Sequence, residues 1–473
     1  MKRKWDSFRN EGVTIASLFD EAMLRGWKQE WVERVVNTGV VDGFIKQLNL
    51  QKNTSTEVLP TVVQCSFSFD ALSVRGLIGD TVREMVKYAM YQQPELCLMN
   101  LIAAAGAVFG RRYASPSDIR TNIYMVGVAR TAAGKDFSRQ YISRLFEKAG
   151  LQDFLGAHYI RSDTGMLVNL QAKPSQIMML DEFGMYLEAI GSQKAPMHIR
   201  NVSACLTKLF TSASSFYDHS STADTKTEIK IQRPNACIYA TTTEGAYAGA
   251  LKRSAIESGE LNRFLVFKSM RHFTGHESLP EPYQISDELA ERWGALSPQG
   301  LYSLPNIGNI PPEPKIVSWD SEIQDMLKDC RVKQQTILNQ EMETSGLWGR
   351  FEELVTKVAM ILSISEDVEN PKFTIESVDL ARSIVETCIE YMANIAVANV
   401  SDSEYETAQQ RALKFLKEQK SPVPMSAFNG KLRSMKAKDR RDMLVDLVQQ
   451  GIVSIDRIES SGGRPREMVS MVR

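Results

Sequence analysis

An apolar run from Ile123 to Val128 passes directly into a loop of small residues, Ala129, Arg130, Thr131, Ala132, Ala133 and Gly134, and then into Lys135, Asp136 and Phe137. A buried strand, a small-residue turn and a helix in that order commit the chain to α/β packing, since the strand must be covered by the helix that follows it. Small residues let backbone N–H groups approach phosphate oxygens, Lys135 can set its ammonium between the β- and γ-phosphates, and a helix beginning near Phe137 aims its positive dipole end at them. The full pattern G-x-x-x-x-G-K-[ST] would put glycine at Ala129 and a hydroxyl at Asp136, and this chain has neither. Taken alone, the stretch reads equally as an ATP cradle or as an ordinary glycine turn.

A second apolar run, Gln176 to Leu180, ends in Asp181 and Glu182. Behind a Gly-Lys loop, the first acid is placed to support Mg²⁺ and the second to polarise an attacking water. A third run from Ala236 ends in Thr241, Thr242 and Thr243, whose hydroxyls can hold that water, although threonine is also an ordinary strand residue. Arg263 precedes the apolar run Phe264 to Phe267, and Arg350 opens a stretch with apolar residues at helical spacing, Leu354, Val358, Ile361 and Leu362. A guanidinium spreads its charge over phosphoryl oxygens better than an ammonium does, so either arginine suits a charge-stabilising role. The plainer readings are a surface arginine at a strand edge and an Arg350–Glu353 salt bridge.

The order of Gly134-Lys135, Asp181-Glu182, Thr241 to Thr243, Asn262-Arg263-Phe264 and Arg350-Phe351-Glu352-Glu353-Leu354 resembles that of an AAA+ hexameric helicase, and most of all the helicase half of phage and plasmid primase-helicases. Minichromosome maintenance helicases are more distantly similar. The likeness spans roughly residues 65–400 and rests on motif order, because each motif is short. It implies ATP and Mg²⁺ at subunit junctions. In it the loop from Ala129 to Phe137 binds nucleotide, Asp181 (with Asp136 or Ser138 in place of the missing hydroxyl) supports the metal, Glu182 activates water and Thr242 positions it. Arg263 acts from the adjacent subunit and Arg350 from the subunit's own lid. It also implies that a hairpin before the third strand carries Lys226 or Lys230 to a DNA strand in the central channel; a solvated hairpin is the alternative. Many equivalent lysines give a salt-dependent grip where one gives little.

From Tyr405 to Arg473 there are 14 Lys+Arg and 8 Asp+Glu, a balance of +6, while the whole chain stands at −1. Three short helical patterns end at Gly451, and two strand-like runs then flank Arg464 and Arg466. This reads as a winged helix, with Lys436, Lys438, Arg440 and Arg441 on or just before its third helix and Arg464 and Arg466 on the wing as DNA contacts. Such modules also serve as protein contacts. At the other end, Thr14 to Gly26 reads as a capped helix resembling the tail of a primase, with no room before Lys4 for a polymerising site. No primer synthesis by this polypeptide is expected.

The expected organisation is therefore a helical segment over residues 1–65, a P-loop ATPase core over 66–300, a helical lid and linker over 301–404, and a winged helix over 405–473. Residues 51–66 and 304–316 read as linkers. The 14-residue apolar stretch from Leu96 to Phe109 is too short to span a bilayer and carries Asn100, so it reads as a buried helix. Six scattered cysteines with no C-x-x-C pair suggest reduced thiols and no zinc site. The chain reads as a cytoplasmic, non-membrane protein of a bacterial host cell, a DNA helicase working on single-stranded and forked DNA as a homo-hexamer beside a primase or polymerase. Two alternatives stand: an ATP-switched origin-binding or loading protein, and a non-catalytic DNA-binding scaffold.

Overall fold

The stretch from Leu96 to Phe109 sits inside the larger hydrophobic core: in the computed structural model, every residue of the helix Pro94–Phe109 is buried. A helix apolar on all sides must be covered on all sides, and here a parallel sheet covers one side and helices the others. The structure describes residues 69–184, 197–218, 229–250, 259–269, 284–297, 307–340, 342, 344–399, 404–419, 421–433, 435, 437–458 and 466–472. The expected N-terminal helix, Lys226, Lys436 and Arg464 lie outside them.

In chain order, α1 (Gly76–Tyr88) and the buried α2 (Pro94–Phe109) lead through β1 (Tyr113–Ala114) to β2 (Tyr124–Val128), and α3 (Lys135–Lys148) follows the small-residue loop. Next come α4 (Asp163–Ala172), β3 (Ser175–Leu180), α5 (Met197–Ser212), the short strands β4 (Phe216–Asp218) and β5 (Lys230–Gln232), β6 (Asn235–Thr242), α6 (Glu244–Ala250) and β7 (Phe264–Lys268). Helix α7 (Asp287–Gly294), β8 (Lys315–Ile316), α8 (Ser321–Leu338), α9 (Phe351–Glu366) and α10 (Ile375–Asn399) complete the larger core.

The main sheet runs β3-β6-β2-β7, every pairing parallel. Strands β2, β3 and β6 are buried along their whole length, as expected for a sheet covered on both faces. The register places Tyr124 beside Phe264 and Val128 beside Lys268. All four carboxyl ends therefore share one edge and all four amino ends the opposite one.

The segment expected as a lid is helical, but α9 and α10 are not set apart from the sheet. Phe351, Leu354, Val358, Ile361, Val385 and Ile389 belong to the same continuous core as β2 and β6, because α9 is apolar nearly all round. The proline-rich stretch expected as a linker is likewise tied down in its described part. Strand β8 pairs in parallel with β1, and the buried Arg111 guanidinium donates to the carbonyl oxygens of Ile307 and Ile310.

Beyond α10, helices α11 (Glu404–Lys417), α12 (Met425–Lys431) and α13 (Ala437–Gln449) surround a second, smaller core. Strand β9 (Val423–Pro424) and the antiparallel pair β10 (Val453–Ile458) and β11 (Arg466–Met471) form a sheet in the order β10-β11-β9. Three helices followed by two strands is the element sequence read from the pattern. The short strand β9 escaped that reading because two residues containing a proline carry no alternation.

Candidate nucleotide site

At the carboxyl edge, β2 does not simply stop. The Ala129 N–H donates to the Thr242 carbonyl at 3.1 Å, so the ladder runs one residue past the strand, and Ala129 itself is buried. Ala129 is thus part of the sheet rather than of the cradle. Arg130, Thr131 and Ala132 are exposed, and the Ala133 N–H closes a turn onto the Arg130 carbonyl at 3.2 Å. Ala132 (φ +62°) and Gly134 (φ +75°) both occupy the left-handed region, the kind of dihedral alternation that turns successive N–H groups toward one concavity. Gly134 is required there twice over: L-residues resist its φ, and a Cβ would stand 2.9 Å from the Tyr91 Cβ.

Helix α3 begins at Lys135, two residues earlier than expected, with Asp136 in its first turn. The first-turn N–H groups of a helix have no full intrahelical acceptor set and can serve an anion; here the Phe137 N–H is turned onto the Gly134 carbonyl at 3.2 Å. Phe137 lies half-buried, with its ring 6.0 Å from that of Tyr141. Beneath the loop, Gln93 donates to the Ala133 carbonyl at 3.2 Å and accepts from the Ser269 hydroxyl, linking the loop to the end of β7. Nothing in the sequence marks Gln93 or Tyr91 for this.

Beside the loop stands Asp181, just past the end of β3. Its Oδ1 accepts from the Thr241 hydroxyl and from the Glu182 N–H, each at 2.9 Å, and its Oδ2 accepts from Arg139 Nη2 at 2.9 Å. Burial alone would raise this carboxyl's pKa; the Glu182 N–H, the Thr241 hydroxyl and the Arg139 charge outweigh it and hold the group below its usual value of 3.8. The same Arg139 Nη2 bonds Asp136 Oδ1. Asp136 and Asp181, which the sequence pairs as metal ligands, are therefore brought together on one guanidinium. Two carboxylates beside a phosphate loop are suitable hard donors for Mg²⁺, so the residues present fit that ion. Arg139 went unnoticed in the sequence, although its spacing of four from Lys135 and three from Asp136 puts all three on neighbouring positions of one helix surface.

Two expected roles need correcting. Ser138 is not free to replace the missing hydroxyl: it is buried and accepts from Asn100 Nδ2 at 3.1 Å, because the fourth position of this helix faces the core. Thr242 is likewise buried, and its Oγ1 accepts from the Gly184 N–H at 3.1 Å. It fixes the loop behind Glu182 and is not turned toward a water. Thr241, whose hydroxyl meets Asp181, is the strand-end threonine that faces the site. Glu182 is exposed on a left-handed backbone (φ +51°), which swings it off the line of β3.

At the opposite edge, Arg263 ends a 3-10 turn directly before β7, and Arg350 caps the start of α9. The two share a cavity of about 510 Å³ with Gly259, Asn262, Gln334 and Glu353. Asn262 Nδ2 donates to the Gly346 carbonyl at 3.2 Å, joining the Arg263 turn to the turn before α9. Arg263 donates to the Gly259 carbonyl, while burial and then the like charge of Arg350 lower its pKa from the usual guanidinium value. Arg350 pairs with Glu353 and lies over the Phe210 ring, 5.4 Å from its centroid. One turn further along α9, the buried Lys357 donates to Asn122 Oδ1 at 2.6 Å and the Arg120 carbonyl at 3.2 Å, lies 3.4 Å from Glu353 and sits over the same ring.

Asn122 lies two residues before β2, so the start of α9 is fixed at the amino edge. From Tyr124 to Val128 the strand alone separates the two edges by about 13 Å, at roughly 3.3 Å per residue. The own-subunit role expected for Arg350 does not fit this placement: both arginines lie at the sheet edge opposite the Lys135 loop of their own chain. The salt bridge to Glu353, the plainer reading, is present, and it coexists with exposure to the cavity.

Lys230 opens β5, opposite Asp218 of β4 in an antiparallel pair, and is exposed. In the C-terminal module Lys438, Arg441 and Arg466 are exposed, whereas Arg440 donates to the Leu432 carbonyl at 3.1 Å and holds the end of α12. That bond gives Arg440 a packing task in place of the free surface position expected.

No family model matches this sequence, and no curated protein does. Among solved structures, the Aeropyrum pernix ORC1 protein in complex with DNA matches over 75% of this chain and 84% of that chain, at 11% identity and a TM-score of 0.19. A likeness of that size carries no assignment, and the site's chemistry is read from its own residues.

Proposed function

We propose that this chain is an ATP-hydrolysing ring motor acting on DNA: the replicative helicase of a phage, plasmid or mobile element, translocating on single-stranded DNA as a hexamer. The observation that carries the reading is the placement of charge on opposite edges of one sheet. Lys135, Asp181 and Glu182 lie at the carboxyl edge, and Arg263 and Arg350 share a cavity at the amino edge. Of the two glutamates that line this cavity, Glu352 is paired with Arg331 and Glu353 with Arg350, so the Arg263 and Arg350 charges remain suited to an anion from outside their own chain. A head-to-tail ring brings the amino edge of one copy to the carboxyl edge of the next.

In such a junction the loop N–H groups and Lys135 hold the triphosphate, and Glu182 takes the proton of the attacking water. Arg263 and Arg350 of the neighbour offset the charge that spreads over the γ-phosphoryl oxygens. When bound, Mg²⁺ would neutralise phosphate charge, with Asp136 and Asp181 as its protein ligands. The β4–β5 hairpin, with Lys230 and the expected Lys226, is the candidate DNA contact in the channel. The C-terminal module is proposed as a winged helix presenting Lys438, Arg441 and Arg466 to phosphates.

Subunit mixing tests this. Lys135→Ala and Arg263→Ala chains should each be inactive alone, while an equal mixture should recover about a quarter of wild-type ATP turnover, since one junction in four then pairs an intact loop with an intact arginine. A mixture no better than its components refutes shared sites. The loading-protein alternative is favoured by one feature: Asp136 stands where a hydroxyl is usual, and Arg139 lies across both carboxylates, an arrangement that would favour the loader if it slows hydrolysis. Strand separation on a forked duplex that disappears with Glu182→Gln supports the motor. ATP-dependent DNA binding without separation supports the loader.

A further inference from the structure

Arg139 is placed where a metal ion would be needed. Its Nη2 bonds Asp136 Oδ1 from the same helix and Asp181 Oδ2 from the end of β3, the latter at 2.9 Å. The bonding of Asp181 makes this more than a surface ion pair. Its Oδ1 is already shared by the Thr241 hydroxyl and the Glu182 N–H, so Oδ2 is the oxygen left for a metal, and that is the oxygen Arg139 holds. Exposure points the same way: the Arg139 side chain is 18% exposed against 56% for Asp136 and 43% for Asp181. The cation is the covered member of the trio, and its Nε is buried without a hydrogen-bond partner among the described residues.

We propose that Arg139 is a resident counter-cation of the nucleotide site, occupying the position between Asp136 and Asp181 in the nucleotide-free chain, so that a divalent metal gains those carboxylates only by displacing it. The inference rests on the nucleotide-site reading above and goes beyond it by naming what controls metal entry. Without a cation, two carboxylates this close would repel. With Arg139 in place the pair is stable and closed to metal. Lys135 lies one turn before Arg139 on α3, so a triphosphate bound at the loop offers the displaced guanidinium a new anionic partner. Nucleotide and metal then favour each other's binding, and metal alone is held weakly.

The test uses Mn²⁺ alone, titrated into the full nucleotide-free chain and followed by loss of the free-ion electron paramagnetic resonance signal. Wild type should bind weakly. Arg139→Gln should bind one Mn²⁺ per chain at least roughly tenfold more tightly, since charge-assisted bonds to both carboxylates no longer have to be broken. The added affinity should vanish in Arg139→Gln/Asp181→Asn. Should Arg139→Gln fail to fold, as judged by its circular dichroism and melting, Arg139→Met serves, because it keeps an apolar stem of similar length and removes the charge that Nη2 places on both carboxylates. Equal Mn²⁺ affinity in wild type and the folded variant overturns the proposal, as does a folded variant that binds no Mn²⁺. A fluorescent ATP analogue in EDTA separates this from the underlying reading. If Lys135→Ala binds the analogue as well as wild type does, the nucleotide site itself is wrong; if Lys135→Ala loses it while the Mn²⁺ results fail, only the role of Arg139 is.

Discussion

Glu353 is the carboxylate that contacts both Arg350 and Lys357, and replacing it with glutamine should cost more than removing the buried lysine it serves. Glu353 Oε2 pairs with Arg350, and Oε1 stands 3.4 Å from the Lys357 ammonium. At that separation and an effective dielectric constant near 20, a full charge pair is worth roughly 5 kcal/mol. Glu353 is 27% exposed, which screens part of this, and glutamine keeps the shape and one hydrogen bond. Breaking buried pairs by removing one partner costs about 3–5 kcal/mol, and the lower end, about 3, applies here. Lys357→Met works differently. Glu353 keeps Arg350, the methionine fills the space, and the site no longer desolvates an ammonium that burial already pulls below its usual pKa. What is lost is the bond to Asn122 Oδ1 at 2.6 Å and that to the Arg120 carbonyl at 3.2 Å, for a net cost of about 1 kcal/mol. Urea unfolding followed by tryptophan fluorescence measures both, since Trp348 is buried in the turn before α9. A Glu353→Gln cost within about 0.5 kcal/mol of zero, or a larger cost for Lys357→Met, would show that the cluster is not held by this charge balance.

Gly134→Ala should weaken binding of the ATP analogue by roughly tenfold or more, as left-handed backbone costs an L-residue about 1–2 kcal/mol. Adding Tyr91→Gly should restore only part of that, because it removes the Cβ that stands 2.9 Å away but not the φ of +75°; full recovery would mean that sterics alone demand the glycine. Asp181 has a folded pKa below 3.8, so its contribution is present above that value and is lost as pH falls through the folded pKa. The melting-temperature gap between wild type and Asp181→Asn should therefore hold steady from neutral pH down to about 4 and close below it; a gap that closes nearer pH 6 would assign it to another group. Reversing Lys438, Arg441 and Arg466 to glutamate in the full chain should flatten the salt dependence of duplex affinity by about 3 log units per log unit of salt, at roughly 0.9 per phosphate contact. An unchanged slope would remove the module from the DNA interface.

Much of this protein could be read along the chain. Runs such as Ile123 to Val128 and Ala236 to Thr242 have no polar face, so they can only be strands covered on both sides, and the small residues after the first leave room for nothing but a turn. The apolar α2 announces its own burial in the same way. The order of the C-terminal elements follows from local periodicity and a glycine stop, both properties of neighbouring residues. The pairing of Asp181 with a Gly-Lys loop was visible too, because both lie where strands end.

What joins distant residues was not visible. The insertion of β6 between β3 and β2 brings Thr241 rather than Thr242 against Asp181, a matter of strand twist and register that no single strand encodes. Arg139 looks like any surface residue of an amphipathic helix until β3 delivers Asp181 to its other side. Arg350 could be assigned to either edge of the sheet until α9 was fixed to Asn122 through Lys357. Local sequence sets which dihedrals and faces a segment adopts; which charges meet is settled only when the core closes, since an ion pair depends on distances that hydrophobic packing imposes.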